Sequence, residues 1–137
     1  MKTLSILLVE DDPSNRDVVE VMLSRSGHRV LTCGNGVEAL ALCREETPPI
    51  DLILMDVQMP VMDGFETVRQ IRAHAETRDL PIICLSAKAG EADQLAGLLA
   101  GADDYMTKPF VRRSLLDLIE SVLARKGMLP ENQSISR

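Results

Sequence analysis

Residues Leu52-Ile53-Leu54-Met55 run straight into Asp56 with no alternation of polar and apolar positions. A strand with one wet face alternates, so an unbroken apolar run of this length reads as a strand buried on both faces, the pattern of a parallel sheet covered by helices. Beyond Asp56 the residues are those of a loop. Met59-Pro60 ends regular structure, and Asp63-Gly64 opens a helix in which Glu66 stands where a capping box needs it. In open α/β sheets, ligands bind in the crevice outside the carboxyl ends of the strands. Asp56 therefore arrives where chemistry, not packing, is expected.

The same grammar repeats along the chain. Leu4 to Val9 is a first apolar run, ending in Glu10-Asp11-Asp12. Asp12-Pro13 supplies an N-cap and then a proline at the first helical position. It predicts a helix from Pro13 to Ser26, with Val18, Val19, Met22 and Leu23 on one face and Gly27 just past its end. Val30 to Cys33 reads as the second strand, and Asn35-Gly36-Val37-Glu38 caps a helix carrying Ala39, Leu40, Leu42 and Cys43, stopped by Pro48-Pro49. Phe65, Val68 and Ile71 mark the third helix. Ile82 to Leu85 is the fourth strand, ending in Ser86-Ala87, and a helix extends from about Glu91 to Leu99 with Gly101 beyond it. A short strand at Tyr105-Met106 leads to Thr107-Lys108-Pro109. The last helix carries Val111, Leu115, Leu118, Ile119 and Val122, with Arg125 and Lys126 in its final turn and Gly127 outside.

Five strands alternating with five helices on short connections predict one parallel sheet with helices on both faces, an α/β three-layer sandwich. A length of 137 residues suits one domain with one sizeable core. The expected division is a folded domain over residues 1–127 and a short polar, frayed tail over residues 128–137. No run of eighteen apolar residues is present, and the acids Glu10, Asp11 and Asp12 are wrong for a signal peptide, which leaves the cytoplasm as the default compartment. A net charge of −6 argues against non-specific nucleic-acid binding, which needs a basic face. Cys33, Cys43 and Cys84 are odd in number and far apart, as befits reduced thiols rather than a metal site or a disulfide framework. The seven methionines follow apolar positions and read as packing. His28 and His74 fall near helix ends and are expected at the surface, without a triad partner.

At the carboxyl edge of the predicted sheet, the first strand brings Glu10 and Asp11, the third Asp56, the fourth Ser86 and the fifth Lys108. Converging carboxylates repel one another unless a cation sits among them. Hard oxygen ligands on short loops suit Mg²⁺, which takes one or two carboxylates and shares its remaining positions with water and phosphate oxygens. A lysine adds a second positive charge, and a serine hydroxyl adds a donor for a phosphoryl oxygen. Asp56 is then a candidate nucleophile towards phosphorus, on the precedent of aspartyl-phosphate intermediates. Positioning and charge neutralisation are what phosphoryl transfer chiefly asks of a protein.

These residues carry a resemblance. Over roughly Leu4 to Lys126 the chain resembles the receiver domain of bacterial two-component response regulators. The matching motifs are Leu7-Leu8-Val9-Glu10-Asp11-Asp12, Leu54-Met55-Asp56 with Met59-Pro60 and Asp63-Gly64, Leu85-Ser86-Ala87, and Asp104-Tyr105-Met106-Thr107-Lys108-Pro109. The resemblance implies a doubly wound, flavodoxin-like (βα)5 fold. It implies that Asp56 accepts the phosphoryl group, that Asp11 ligates Mg²⁺ with Glu10 acting through water, and that the backbone carbonyl of Gln58 contributes a metal contact. Lys108 would bridge to the phosphoryl group, and the Lys108-Pro109 bond would be cis, a minority form. The switch it implies has Ser86 drawn towards the phosphoryl oxygens and Tyr105 turning inward, which reshapes the surface of the fourth helix, fifth strand and fifth helix. Gln58 and Lys88 lie where side chains govern access of water to the phosphoryl group.

The implied function is a phosphorylation-dependent signalling switch, an enzyme only towards its own phosphorylation and slow autodephosphorylation. Two other classes compete with it, besides a pseudo-receiver that docks without phosphate. A phosphatase of the haloacid-dehalogenase type needs an acid two residues after its nucleophile, where this chain has Gln58, and a cap over a small substrate. A flavodoxin-like cofactor binder wants a phosphate-cradling loop after the first strand, where Glu10-Asp11-Asp12 repels phosphate. The switch is the reading of choice. Ten residues after the last helix suggest a stand-alone receiver or one cut from a longer regulator or hybrid kinase. The partners implied are a histidine kinase or histidine phosphotransfer protein and a downstream target protein, with neither nucleic acid nor membrane. A monomer or a phosphorylation-dependent dimer is expected. The docking face is expected around Asp56 and the first helix, where Val18, Val21 and Met22 offer apolar contact area.

Overall fold

The computed structural model describes residues 3–45, 49–59, 62–88 and 90–128. Strands and helices alternate throughout: β1 (Ser5–Val9), α1 (Pro13–Ser24), β2 (Arg29–Cys33), α2 (Gly36–Glu45), β3 (Leu52–Asp56), α3 (Gly64–Ala73), β4 (Ile82–Ser86), α4 (Glu91–Ala100), β5 (Asp104–Thr107) and α5 (Arg112–Arg125). All strand pairings are parallel, and the sheet order is β2-β1-β3-β4-β5. The predicted doubly wound α/β sandwich is therefore present. Strand order reverses between β1 and β3, the switch point where an open sheet leaves a crevice at its carboxyl edge.

Successive strand residues point to opposite faces, and the core divides accordingly. Leu7, Val9, Ile53, Met55, Ile82 and Cys84 pack with Ala39, Val68 and Ile71, under α2 and α3. Ile6, Leu8, Leu52, Leu54, Ile83 and Leu85 pack with Val19, Leu23, Leu115 and Ile119, under α1 and α5. The unbroken apolar run before Asp56 is thus explained: both faces of β3 are covered, and every one of its residues is buried.

Helix ends follow local chemistry, with corrections. Asn35 and Glu38 cap α2 reciprocally: Glu38 N–H donates to Asn35 Oδ1 at 2.9 Å, and Gly34 N–H donates to Glu38 Oε1 at 3.3 Å. Asp63 Oδ1 caps α3 by accepting from Glu66 N–H at 2.8 Å, but the Glu66 carboxylate turns instead to Arg69 and Gln70. Asp12 occupies the N-cap of α1 without a side-chain hydrogen bond. That helix ends at Ser24 rather than Ser26, because the chain turns through Ser26 and the positive-φ Gly27 to enter β2. Lys126 lies just outside α5, and Val111 is its exposed N-cap, not part of its buried stripe. The expected stop at Pro48 and break at Pro60 lie outside the described residues, as does the tail beyond Met128.

The cysteines sit as the sequence suggests, and one histidine does not. Cys33 and Cys84 are buried and Cys43 half-buried, all free, and burial first of all pushes each thiol up, to about 11 for Cys33 and about 12 for Cys43 and Cys84. They are inert thiols in this state. His28, expected at the surface, is buried. Its Nδ1 accepts a hydrogen bond from Leu4 N–H at 3.1 Å, so the imidazole satisfies a backbone donor at the start of β1. At the same end of the sheet, Arg72 donates to the carbonyls of Gly101, Arg78 and Leu80 and to Asp103 Oδ2, clasping α3 to the turn before β5. No helix among the described residues is long and apolar enough to cross a membrane.

Candidate functional site

The site forms because adjacent parallel strands end in step. Val9 pairs with Met55, and Asp56 pairs with Leu85, so Glu10, Asp56 and Ser86 leave neighbouring strands at one level. Glu10 and Asp56 are almost fully buried, at 1% and 4% exposure, whereas Asp11 faces solvent. One carboxylate oxygen from each of Glu10, Asp11 and Asp56 lies within 4.8 Å of the other two. All three acids singled out in the sequence converge.

Lys108 comes from the loop after β5. Its N–H donates to Ser86 O at 2.8 Å, which fixes the loop to the end of β4, and the Lys108-Pro109 bond is cis, as expected. Lys108 Nζ lies 2.8 Å from Glu10 Oε1 and 3.7 Å from Asp56 Oδ1. Glu10 Oε2 accepts from Asp12 N–H at 3.3 Å. Gln58 turns its N–H to Asp56 Oδ1 at 3.3 Å, while its side chain is exposed. One ammonium thus serves two buried carboxylates, which leaves the negative charge in excess. Burial, and after it the hydrogen bond with Glu10, pushes the Asp56 carboxyl up to about 7, against the opposing pull of Lys108.

Excess carboxylate at the mouth of a crevice is what a hard cation relieves. The donor set is all oxygen, comes from two adjacent strand ends and includes the exposed Asp11, so it fits Mg²⁺ with room for water and a phosphoryl oxygen.

Ser86 and Tyr105 sit beside this cluster without touching Asp56 through any described hydrogen bond. Ser86 is buried, and its Oγ accepts from Lys88 N–H at 3.0 Å. Tyr105 OH donates to Lys88 O at 3.1 Å. The backbone of Lys88 therefore joins the two residues that the family resemblance pairs as a switch, while its side chain points to solvent.

One feature of the site is not legible in the motifs. In the sequence Gly64 reads as part of helix initiation alone, yet a Cβ there would lie 2.5 Å from Asp56 O and 2.5 Å from Val57 Cα. Gly64 N–H also donates to Val57 O at 3.2 Å. The glycine lets α3 begin against the backbone of the acid itself.

A doubly wound sheet with a triad of acids and a lysine at its switch point defines a receiver. The sequence profile of the response regulator receiver domain matches residues 6–120, and the chain belongs to that family, which serves two-component signalling. It is 47% identical over 121 residues to the transcriptional regulatory protein AfsQ1 of Streptomyces coelicolor, covering 88% of this chain and 52% of that protein. It is 42% identical over 119 residues to Protein PilH of Pseudomonas aeruginosa, covering 87% of this chain and 97% of PilH. The chain thus spans about half the length of AfsQ1 and nearly all of PilH. Among solved structures, the receiver domain of the sensor histidine kinase PA1611 from Pseudomonas aeruginosa superimposes with a TM-score of 0.80 at 39% identity, over 92% of this chain and 99% of that one. That structure has a magnesium ion coordinated in its active-site cleft.

Proposed function

We propose that this protein is a signalling switch that accepts a phosphoryl group on Asp56, from a phosphohistidine of a histidine kinase or a histidine phosphotransfer protein. The observation that carries the reading is the convergence of Glu10, Asp11 and Asp56 with Lys108 in reach of two of them. An Asp56 carboxylate oxygen attacks phosphorus, the P–N bond to the donor imidazole breaks, and the leaving nitrogen keeps the bonding pair and takes a proton from solvent. Asp11, Asp56 and the Gln58 carbonyl would hold Mg²⁺, with Glu10 acting through water; the ion supplies neutralisation of the phosphoryl oxygens. Lys108 is close enough to follow the new charge from Glu10 towards the acyl phosphate. Ser86 Oγ accepts from Lys88 N–H and donates to no partner among the described residues, so its hydrogen would serve a phosphoryl oxygen. Gln58 and Lys88, both exposed beside the site, set how water reaches the product and hence its lifetime.

The donor would dock over α1. Val18 and Val21 are exposed at 56% and 50%, whereas Val19 and Leu23 are core, which divides the apolar residues of that helix between surface and interior. A cavity of about 170 Å³ opens between Asn15, Val18 and Met22 of α1 and Pro109-Phe110, beside Lys108. Apolar contact there would leave Asp56 facing the incoming histidine. The chemistry is decided by incubating the protein with acetyl phosphate and Mg²⁺ and reading intact mass. A base-labile gain of one phosphoryl group, absent without Mg²⁺ and absent in Asp56→Asn, is expected. No gain from acetyl phosphate or from a phosphohistidine donor would overturn the reading in favour of a receiver that docks without phosphate.

A further inference from the structure

Glycine in the middle of a helix is an unfavourable choice, and one that is buried usually marks a close approach. Gly97 sits in the body of α4 and is buried. A Cβ at this position would lie 2.9 Å from Tyr105 Cδ2, 3.4 Å from Tyr105 Cε2 and 3.4 Å from Phe65 Cε1. The first distance is below any that packed carbons tolerate, so the ring of Tyr105 occupies the space that a side chain at position 97 would take. From that position its hydroxyl reaches Lys88 O at 3.1 Å, and Lys88 N–H reaches Ser86 Oγ at 3.0 Å. Ser86 leaves β4 beside Thr107 of β5, and Cys84 pairs with Tyr105 itself, so the route is short and built on adjacent strands.

We propose that Gly97 is the positioning residue of the switch: its missing side chain seats Tyr105 under α4, and through the Lys88 backbone this holds Ser86 ready for a phosphoryl oxygen. The inference rests on the phosphoryl-acceptor reading of Asp56. Gly97 is not a member of the cluster of Glu10, Asp11, Asp56 and Lys108, and it acts only by the place it leaves for the ring. A coupling of this kind is reciprocal, so what displaces Tyr105 must also weaken binding at Asp56.

The test uses Gly97→Ala, which favours the helix intrinsically while filling the space. Tyr105 is the only tyrosine and the chain has no tryptophan, so its fluorescence reports its own surroundings. In the metal-free variant, iodide should quench Tyr105 more strongly than in the parent. Calorimetry with beryllium fluoride and Mg²⁺, a phosphoryl mimic, should show affinity weakened about fivefold, the effect of one lost hydrogen bond. Mg²⁺ alone should bind both proteins equally. Tyr105→Phe, which removes the hydroxyl without crowding, should share the loss and guards against a Gly97→Ala protein that fails to fold. In a Tyr105→Ala background, Gly97→Ala should add nothing further. Unchanged quenching and affinity would overturn the proposal, as would a loss that persists without the tyrosine ring. If the parent protein binds no beryllium fluoride at all, the acceptor reading fails and the proposal falls with it, whatever the quenching shows.

Discussion

The ammonium of Lys108 lies 2.8 Å from Glu10 Oε1, a pairing that spans 98 residues of chain and ties the end of β5 to the end of β1. The distance to Asp56 Oδ1 is longer, at 3.7 Å. In this state the lysine chiefly compensates Glu10, the more deeply buried acid, and Asp56 is left short of positive charge.

Removing that lysine should therefore cost stability as well as chemistry. Lys108→Ala leaves two buried carboxylates side by side without their cation, a type of loss worth roughly 1–3 kcal/mol at a rim site. Urea unfolding at pH 8 should show it. Phosphorylation by acetyl phosphate, read as intact mass, should slow by about 10²-fold, the usual effect of losing one preorganised charge partner. A variant as stable and as reactive as the parent would show that Lys108 is only a surface cation.

Asp56 should do the opposite in the metal-free protein. Its carboxyl is raised from 3.8 to about 7, so the folded state holds a proton that the unfolded state releases between those values. Its contribution is fully present below about pH 3.8 and is lost as pH rises through 7. At pH 8 the ionised, buried acid opposes folding. Asp56→Asn should then stabilise the Mg²⁺-free protein by on the order of 2 kcal/mol at pH 8, and by clearly less at pH 5. Thermal melts at the two pH values give the comparison; a gain independent of pH would place its origin elsewhere than in this ionisation.

The parts of the molecule that the sequence announces are those where one residue type can serve only one purpose. Runs of four apolar residues without alternation must be covered on both sides, and β1, β3 and β4 appear within a residue of their expected ends. Strand ends in a parallel sheet share an edge, so the strand pattern alone groups Glu10, Asp11, Asp56, Ser86 and Lys108. Residues with several possible uses are harder to place. His28 comes after a positive-φ glycine, a surface-like setting, and only tertiary structure shows that it turns in to meet Leu4 N–H. Gly64 and Gly97 are informative through what is absent from them, and their neighbours Asp56 and Tyr105 are eight residues away in each case along the chain but in contact in space. The α1 stripe is ambiguous because apolar residues cover more than a single face, and exposure alone separates Val18 and Val21 from Val19 and Leu23.

His28 supplies a second pH dependence of opposite sign. Burial, the larger cause, holds its pKa below the ordinary value of 6.5, so the folded state resists the proton that the unfolded state accepts. The stability it contributes is present above pH 6.5 and is lost as pH falls below that value. His28→Leu keeps the apolar bulk but leaves Leu4 N–H without its acceptor. A loss of about 1–3 kcal/mol at pH 7.5 is expected from urea unfolding, shrinking towards pH 5.5, where the parent itself is weakened. An equal deficit at both pH values would detach His28 from the acid response.

Gly64 offers the sharpest separation of fold from site. Its Cβ-equivalent position is 2.5 Å from Asp56 O and 2.5 Å from Val57 Cα, backbone atoms that cannot swing aside as a side chain can. Gly64→Ala must push α3 away from the end of β3 or shift Asp56 itself. The α3 cap can survive the first course, because Asp63 Oδ1 and Glu66 N–H move together. Either course disturbs the 3.3 Å hydrogen bond from Gln58 N–H to Asp56 Oδ1 and the spacing of the three acids. The expected result is a loss of about 1–3 kcal/mol in urea unfolding, the range for strain forced into a packed interior. Mg²⁺ affinity by calorimetry should fall in the same variant, whereas Asp63→Ala, which removes only the cap at a cost of about 1 kcal/mol, should leave the metal affinity as it was. Equal Mg²⁺ affinity in Gly64→Ala and the parent would mean that the close approach serves packing alone and that Asp56 is held in place by β3 without help from α3.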